Sequence, residues 1–417
     1  MFRPSDFGAR YTRRTAAAEL MLDLADAMAA SAPVYMLGGG NPARIPEVEA
    51  VYMRRLTEIA ADPAQFGRFA GQYSDPAGDP GFRDAVATAL HDEFGWRIER
   101  CNVALTAGSQ LGFFFLFNWL SGPQRDGSHR RLLLPLAPEY IGYADLGVAE
   151  GMLCSRPARI ERESDGFFKY RLDTANLTVP EDVAAICVSR PTNPSGNVLA
   201  IAELEQLDTV ARDRGVPLVI DAAYGLPFPG LQFEDGAAFW NDNVILCLSL
   251  SKLGLPGART GIVVAQQSVI EAITAFNATA ALAPAGTAAT MVEPLLRSGE
   301  LARLCREVVR PHYAARCRQA IDWLRAACTD LPLVIHRPEG AFFLWLWFPG
   351  LPVTSAELYR RLKARGVYVI SGHHFFPGLE ADWSHRNECI RINYSQAPDS
   401  VARGIEILAE EVRRAYA

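Results

Sequence analysis

The chain of 417 residues lacks any apolar run long enough to cross a bilayer, which takes about 20 residues. Its two richest stretches, FFFLFNWL (113–120) and AFFLWLWF (341–348), span eight residues each and read as core segments. It lacks an excess of positive charge: 41 basic against 47 acidic residues, mixed along the chain, leave a net charge of -6. With no basic stripe to follow a nucleic-acid backbone, DNA and RNA are excluded as partners. The opening residues, MFRPSDFGARYTRRT, carry basic side chains but no apolar segment leading to a small-residue cleavage site, so no membrane association and a cytoplasmic location are expected. The eight cysteines form no C-x-x-C pair and no zinc-type spacing with histidine. Reduced core thiols and no metal site are expected. His373 and His374, adjacent in sequence, are expected to point apart as polar loop residues.

What the chain has is a globular composition, 49% apolar and 21% charged, with short apolar runs between helical patterns. NVALT (102–106), RLLLPL (131–136), AAICVS (184–189), PLVID (217–221), VILCLS (244–249) and GIVVA (261–265) read as strands. Their alternation with helices predicts an α/β unit around a mainly parallel sheet. Between two of them, Leu204, Leu207, Val210 and Ala211 recur at helical spacing and stop before Gly215, a C-terminal cap. From Glu300 to Cys328 a long helical pattern meets Pro311, where the missing N–H predicts a kink or a division. Beyond it, strands and helices come in runs, which predicts a smaller α+β unit. The expected division is an N-terminal segment (1–48) packing with the small unit, a large unit (49–305) that holds the site, and a small C-terminal unit (306–417).

Open α/β sheets bind ligands at the carboxyl ends of their strands, and here those ends carry an ordered set of polar residues. TAGSQ (106–110) leads from a strand through a glycine turn into a helical run, so the N–H groups of Gly108, Ser109 and Gln110 would face an anion. SRPTNPSGN (189–197) sets Asn193 just past a strand in a proline and glycine turn. VIDAAY (219–224) ends an apolar strand in Asp221, with Tyr224 three positions on. A carboxylate ending a buried strand costs several kcal/mol unless a cation meets it, and an arginine or a pyridinium nitrogen would serve equally well. SLSKLGLPGAR (249–259) adds Ser249, Ser251, Lys252 and Arg259: hydroxyls, an amine and a guanidinium suited to phosphate. Taken alone, each piece reads as a cap, a turn or a solvated strand end. Together they are the parts a pyridoxal 5′-phosphate site needs.

With LGGGNPA, PLAPEYIGYAD, CVSRPTNPSGN and SLSKLGLPGAR, the chain resembles the fold-type I aminotransferases of class I and II from about Gly38 to Arg391. That resemblance implies a pyridoxal-phosphate enzyme that moves an amino group between an amino acid and a 2-oxo acid, with the site at a two-fold interface of a homodimer. It implies that Lys252 forms the Schiff base and moves the proton, that Asp221 pairs with the pyridine nitrogen, and that Asn193 and Tyr224 hold the ring oxygen. Gly108, Ser109, Gln110, Ser249 and Arg259 would hold the phosphate, with Tyr73 of YSDPAGDPGFR reaching it from the neighbouring subunit. Tyr140 would stack on the ring, Arg391 of IRINY would bind the substrate carboxylate, and the backbone of Gly39 would approach the substrate. The form of the motifs implies L-valine and pyruvate as substrates, and a pyridoxamine form of the cofactor between two half-reactions.

One departure stands out: Arg259 follows Lys252 by seven positions, where the family pattern has eight. The turn between them must be shorter. The glycines of LGGGNPA do not fit a dinucleotide fingerprint, because Ala43 stands where its last glycine belongs. Other readings share the cofactor residues: an aminotransferase for a different amino acid, or a carbon–sulfur lyase, which would release ammonia rather than retain nitrogen on the cofactor. A transcriptional regulator would need a DNA-binding module, for which the stretch before LGGGNP is too short.

Overall fold

The structure, a computed structural model, describes residues 2–13, 15, 18, 22, 23, 33–234 and 236–417. All six expected strands form. They occupy Val103–Thr106, His129–Ala137, Val183–Ser189, Leu218–Asp221, Val244–Ser249 and Gly261–Val264, joined by Leu153–Pro157 and the short Gly122–Pro123 in one eight-stranded sheet. Parallel pairing runs from Leu153–Pro157 through His129–Ala137, Val183–Ser189 and Leu218–Asp221 to Val244–Ser249. Gly261–Val264 then pairs antiparallel on both sides.

The apolar runs are continuous because this sheet is covered on both faces. Successive side chains point to opposite sides, and the alternation sorts them cleanly. Ala104, Leu132, Leu134, Ala185, Cys187, Val219, Ile245, Cys247 and Val263 pack with Phe113, Phe117, Ile270 and Ile273 of the helices Ser109–Leu120 and Gln267–Ala280. Val103, Leu105, Leu133, Ile186, Val188, Ile220, Leu248 and Val264 face the larger core, which holds Leu204 and Leu207 of the helix Ile201–Asp213.

A second sheet of six strands runs in the order Ile370–Ser371, Cys389–Asn393, Phe343–Trp347, Val334–His336, Phe167–Arg171, Arg159–Arg162. Its last two strands come from residues 159–171, inside the stretch expected for the large unit. Tyr35–Met36 pairs in parallel with Val367–Tyr368, and the N–H of Asn393 donates to the Leu37 carbonyl at 2.6 Å. Hence the glycine-rich LGGGNP segment runs beside the strand that carries Arg391.

Near Pro311 the helical pattern divides. Glu300–Leu304 is α-helical, Cys305–Val309 loosens into a π-helix, and Arg310–Ala327 resumes the α-helix with the proline in its first turn, where its missing N–H costs least. One expectation is corrected. His373 and His374 do not point apart: the 3-10 turn Gly372–Phe375 brings their ring centroids to 3.9 Å.

The two sheets meet where the turn after Asn193 faces the segment before Phe342. There Gly340 leaves no room for a side chain, since a Cβ would lie 2.3 Å from the Leu231 carbonyl oxygen and 2.6 Å from Cγ of Pro191. Gly340→Ala should therefore destabilise the protein by about 1–3 kcal/mol, as overpacking does. A lowered midpoint of urea unfolding at unchanged slope is the expected result.

Candidate active site

The strand ends converge on one cleft. Ser189 and Cys247 lie opposite Asp221 in the parallel ladder, and Ser249 lies opposite Gly261, so the polar residues after these strands share one rim. Asp221 is buried at 8% exposure. One of its carboxylate oxygens accepts from the Tyr143 hydroxyl at 2.7 Å and the other from the N–H of Ala223 at 3.0 Å. Among the described residues it forms no ion pair. Burial pushes its acidity toward the neutral form, against the pull of the Tyr143 hydroxyl, the Ala223 N–H and the charge of Lys252.

Lys252 follows the strand Val244–Ser249 in the 3-10 turn Ser251–Leu253. Its partly buried amine donates to the Gly40 carbonyl at 3.0 Å and lies 5.4 Å from the centre of the Tyr224 ring and 5.6 Å from that of Phe342. Burial first, then the charges of Arg391 and Arg259, lower this amine to about 8, with Asp221 opposing them. Tyr224 is buried and packs edge-on against Phe342 and Phe343.

Arg391 is the deepest cation of the site, at 2% exposure in the strand Cys389–Asn393. Nη1 donates to Oδ1 of Asn193 at 2.7 Å, Nη2 donates to the Gly38 carbonyl at 2.6 Å, and Nε is buried without a partner. Its guanidinium rests 4.1 Å above the Phe343 ring. The neighbouring Gly39 carbonyl accepts from Nδ2 of Asn393 at 2.5 Å, which fixes the glycine segment against the same strand.

A helix N-terminus and Arg259 approach the same cleft. Gly108, with φ 85°, precedes the helix Ser109–Leu120, whose first N–H groups, those of Ser109 and Gln110 included, have no partner within the helix. The Gln110 side chain is turned aside and donates to the Gly142 carbonyl at 3.1 Å. Arg259 presses so close that a Cβ on Gly108 would stand 2.2 Å from its Nη2. The seven-residue spacing closes through the 3-10 turn Pro256–Ala258 and a left-handed Arg259, at φ 45°, an uncommon conformation for a side-chain-bearing residue. Ser249 and Ser251 are buried, with the Ser249 hydroxyl accepting from the Ser251 N–H at 3.2 Å.

Tyr140 is half-buried beside this cleft, edge-on to Tyr143 with ring centres 5.3 Å apart. Tyr73 is not part of the cluster: its side chain is 81% exposed on the loop between Gly71 and Asp79. Sequence reasoning missed Tyr143, three positions after Tyr140, and the phenylalanines Phe342, Phe343 and Phe375 that floor the cations. Tyr143 sits in the apolar PEYIGY loop, where a core tyrosine and a ligand to Asp221 look alike.

One carboxylate and three cations, Lys252, Arg259 and Arg391, thus line one cleft, and among the described residues none of them forms an ion pair. Unpaired charge is costly where it is buried, as at Asp221 and Arg391, while Arg259 is exposed and open to a ligand, so the cleft suits a ligand that brings a cation to Asp221 and anions to the arginines. A pyridinium ring bearing a phosphate, together with a substrate carboxylate, has that pattern of charge.

The sequence profile of the aminotransferases of class I and II matches residues 53–408. The chain belongs to that family. Valine–pyruvate aminotransferase of Escherichia coli (strain K12) is 45% identical over 411 residues, covering 99% of this chain and 98% of that protein. The crystal structure of valine–pyruvate aminotransferase from Salmonella typhimurium LT2 superposes with a TM-score of 0.88 at 45% identity, over 96% of this chain and 99% of that one. A single mutant of Thermus thermophilus aspartate aminotransferase shares the fold, with a TM-score of 0.78 at 20% identity, over 99% and 100% of the two chains. As an aminotransferase of this family the protein is an enzyme dependent on pyridoxal phosphate.

The lowered amine gives a test. In cofactor-free protein, labelling of Lys252 by an amine-reactive reagent, followed by peptide mass spectrometry, should rise with pH through a midpoint of about 8. In Arg391→Leu protein, which lacks one of the cations that disfavour a charged amine, the midpoint should move upward.

Proposed function

We propose that this aminotransferase exchanges the amino group of L-valine with pyruvate, giving 3-methyl-2-oxobutanoate and L-alanine. The observation that carries the reaction class is the cleft in which a lysine lowered to about 8 stands between an unpaired buried carboxylate and two arginines free of ion pairs. The choice of substrates is supported by the full-length similarity to valine–pyruvate aminotransferase of Escherichia coli. A cavity of about 260 Å³ beside Lys252, walled in part by Ile45, Val48, Leu253 and Val309, offers apolar surface to a branched side chain.

When bound, pyridoxal phosphate supplies a covalent attachment for the amino group and a ring that takes up the electron pair of the broken Cα–H bond. The side chains divide the remaining work. Lys252 anchors the cofactor, and its Nζ then takes the proton from the substrate Cα, a task that requires the neutral amine its lowered pKa provides. Asp221, oriented by Tyr143, holds the proton on the ring nitrogen. Asn193 accepts from Arg391 at its Oδ1, which leaves its amide N–H groups for the ring oxygen beside the Tyr224 hydroxyl. Arg391 meets the substrate α-carboxylate through its unpartnered Nε, with Gly38 and Asn193 setting the plane of the fork and Gly39 closing the wall beside it.

Tyr140 covers the ring, while Gly108, the N–H groups of Ser109 and Gln110, Ser249 and Arg259 take the phosphate. Tyr73 serves the site of a second copy in a homodimer, a reading supported by its exposure away from its own cleft. The proposed setting is the cytoplasm, where the eight free thiols stay reduced.

The deciding experiment mixes cofactor-loaded enzyme with L-valine alone. One equivalent of 3-methyl-2-oxobutanoate per site should form as the cofactor takes the amino group, and pyruvate should reverse the spectral change with release of alanine. No reaction with valine would overturn the substrate assignment, and free ammonia would replace transamination with a lyase reaction. Lys252→Ala should lower turnover by at least a thousandfold, because it removes both the anchor and the proton carrier; activity within tenfold of wild type would remove Lys252 from its role.

A further inference from the structure

One buried carboxyl close to the cleft has no part in the reaction as assigned. Glu139 is fully buried, at 0% exposure, and forms no ion pair among the described residues. One of its side-chain oxygens accepts from the N–H of Ser189 at 2.9 Å. The other accepts from the Ser189 hydroxyl and from the N–H of Tyr140 at 3.3 Å. Through its own N–H it donates to the Phe375 carbonyl at 2.8 Å.

Each of these partners leads to a different part of the site. Tyr140 is the aromatic beside the ring position. Ser189 lies opposite Asp221 in the ladder, and the next residue, Arg190, donates its N–H to the Asp221 carbonyl at 2.8 Å. Phe375 is buried in the small-sheet region, with its ring 5.4 Å from the Arg391 guanidinium. The cofactor-facing loop, the end of the central sheet and the floor of the carboxylate-binding arginine are thus tied to one residue.

A carboxyl is an expensive group for filling space in such a position, since burial without a cation favours the neutral acid. Glu139 is accordingly pushed up to about 8, by burial first and by the charge of Asp221, against the hydroxyl and N–H groups of Ser189 and the N–H of Tyr140. An apolar side chain would fill the same space at less cost and keep the backbone bond to Phe375, but could accept from neither Ser189 nor the Tyr140 N–H.

We propose that Glu139 is a positioning residue for catalysis, its carboxyl fixing the Tyr140 loop against the Asp221 strand end at the separation that the cofactor requires. The role rests on the assignment of Lys252, Asp221, Tyr140 and Arg391 made above. Glu139 touches neither substrate nor cofactor and acts through its neighbours.

The test uses full-length protein and compares wild type with Glu139→Ala, Glu139→Gln, Ser189→Ala and Lys252→Ala. For each, the dissociation constant of pyridoxal phosphate and the visible circular dichroism of the bound cofactor are measured, with far-ultraviolet dichroism as the check on folding. Glu139→Ala should raise the dissociation constant at least tenfold and weaken the visible dichroism, because the ring loses its fixed walls. Glu139→Gln, whose amide oxygen still accepts from Ser189, should recover the constant to within threefold of wild type. Where Glu139→Ala does not fold, Ser189→Ala, which removes only the hydroxyl contact, should shift both readouts in the same direction by a smaller factor. Wild-type values of both readouts in folded Glu139→Ala protein, or in Ser189→Ala if the first variant does not fold, would overturn the role. Lys252→Ala separates this failure from failure of the site itself: retention of the lysine-bound absorption band there would overturn the site and the brace together. Loss of that band, with the Glu139 and Ser189 variants at wild-type values, would remove the brace alone.

Discussion

The site depends on the burial of one negative charge. Asp221 ends a central strand of the large sheet, 8% exposed, with a tyrosine hydroxyl and a backbone N–H as its hydrogen-bond donors and no cation paired to it among the described residues. A lone buried carboxyl keeps its charge most readily when something cationic comes to it, because burial by itself favours the neutral acid. Around it the chain places Lys252, Arg259 and Arg391, each without a carboxylate of its own. Burial first, and then the surplus of positive charge, keep the lysine amine easy to deprotonate, and the arginines are left for anions. A ligand that is cationic at its ring and anionic at its phosphate, with a substrate carboxylate beside it, resolves every one of these unpaired charges.

Most of this was legible in the sequence because strands buried on both faces have a continuous apolar pattern, and a polar residue ending such a run is conspicuous. Asp221 and Ser249 were visible on that ground, and the six strands lie within two residues of where the pattern puts them. Arg391 was visible only through the resemblance, since an arginine in IRINY looks ordinary by itself, and Asn193, in a proline turn, stood out only as one of the ordered set of strand ends. Their 2.7 Å hydrogen bond joins residues 198 positions apart, a distance no local pattern reports. The same limit hid the recruitment of residues 159–171 into the second sheet, because strand pairing at long range leaves no mark on periodicity. Tyr143 and Glu139 were missed for a different reason: in PLAPEYIGYAD their polar atoms turn inward, and only the fold shows what they meet.

The second sheet brings Arg391 to the cleft, and backbone contacts hold it there. The glycine segment 38–40 supplies carbonyls to Arg391, Asn393 and Lys252, so a stretch without side chains connects the strand of Arg391 to Lys252. Gly340 lets the turn that carries Asn193 lie against the small-sheet region. Arg259, in a left-handed conformation after a 3-10 turn, lies against Gly108 at the helix N-terminus. In each case a glycine or a turn sets how closely two parts of the site can approach.

The pairing of Asp221 with a cationic ring is tested most directly by the ¹⁵N chemical shift of the ring nitrogen in enzyme loaded with ¹⁵N-labelled pyridoxal phosphate. A buried carboxylate that stabilises a pyridinium should keep that nitrogen protonated from pH 6 to 9, and Asp221→Asn should return it to the shift of neutral pyridine. A neutral ring nitrogen in the wild-type enzyme over that range, or a protonated one that persists in Asp221→Asn, would contradict the central role of this buried charge.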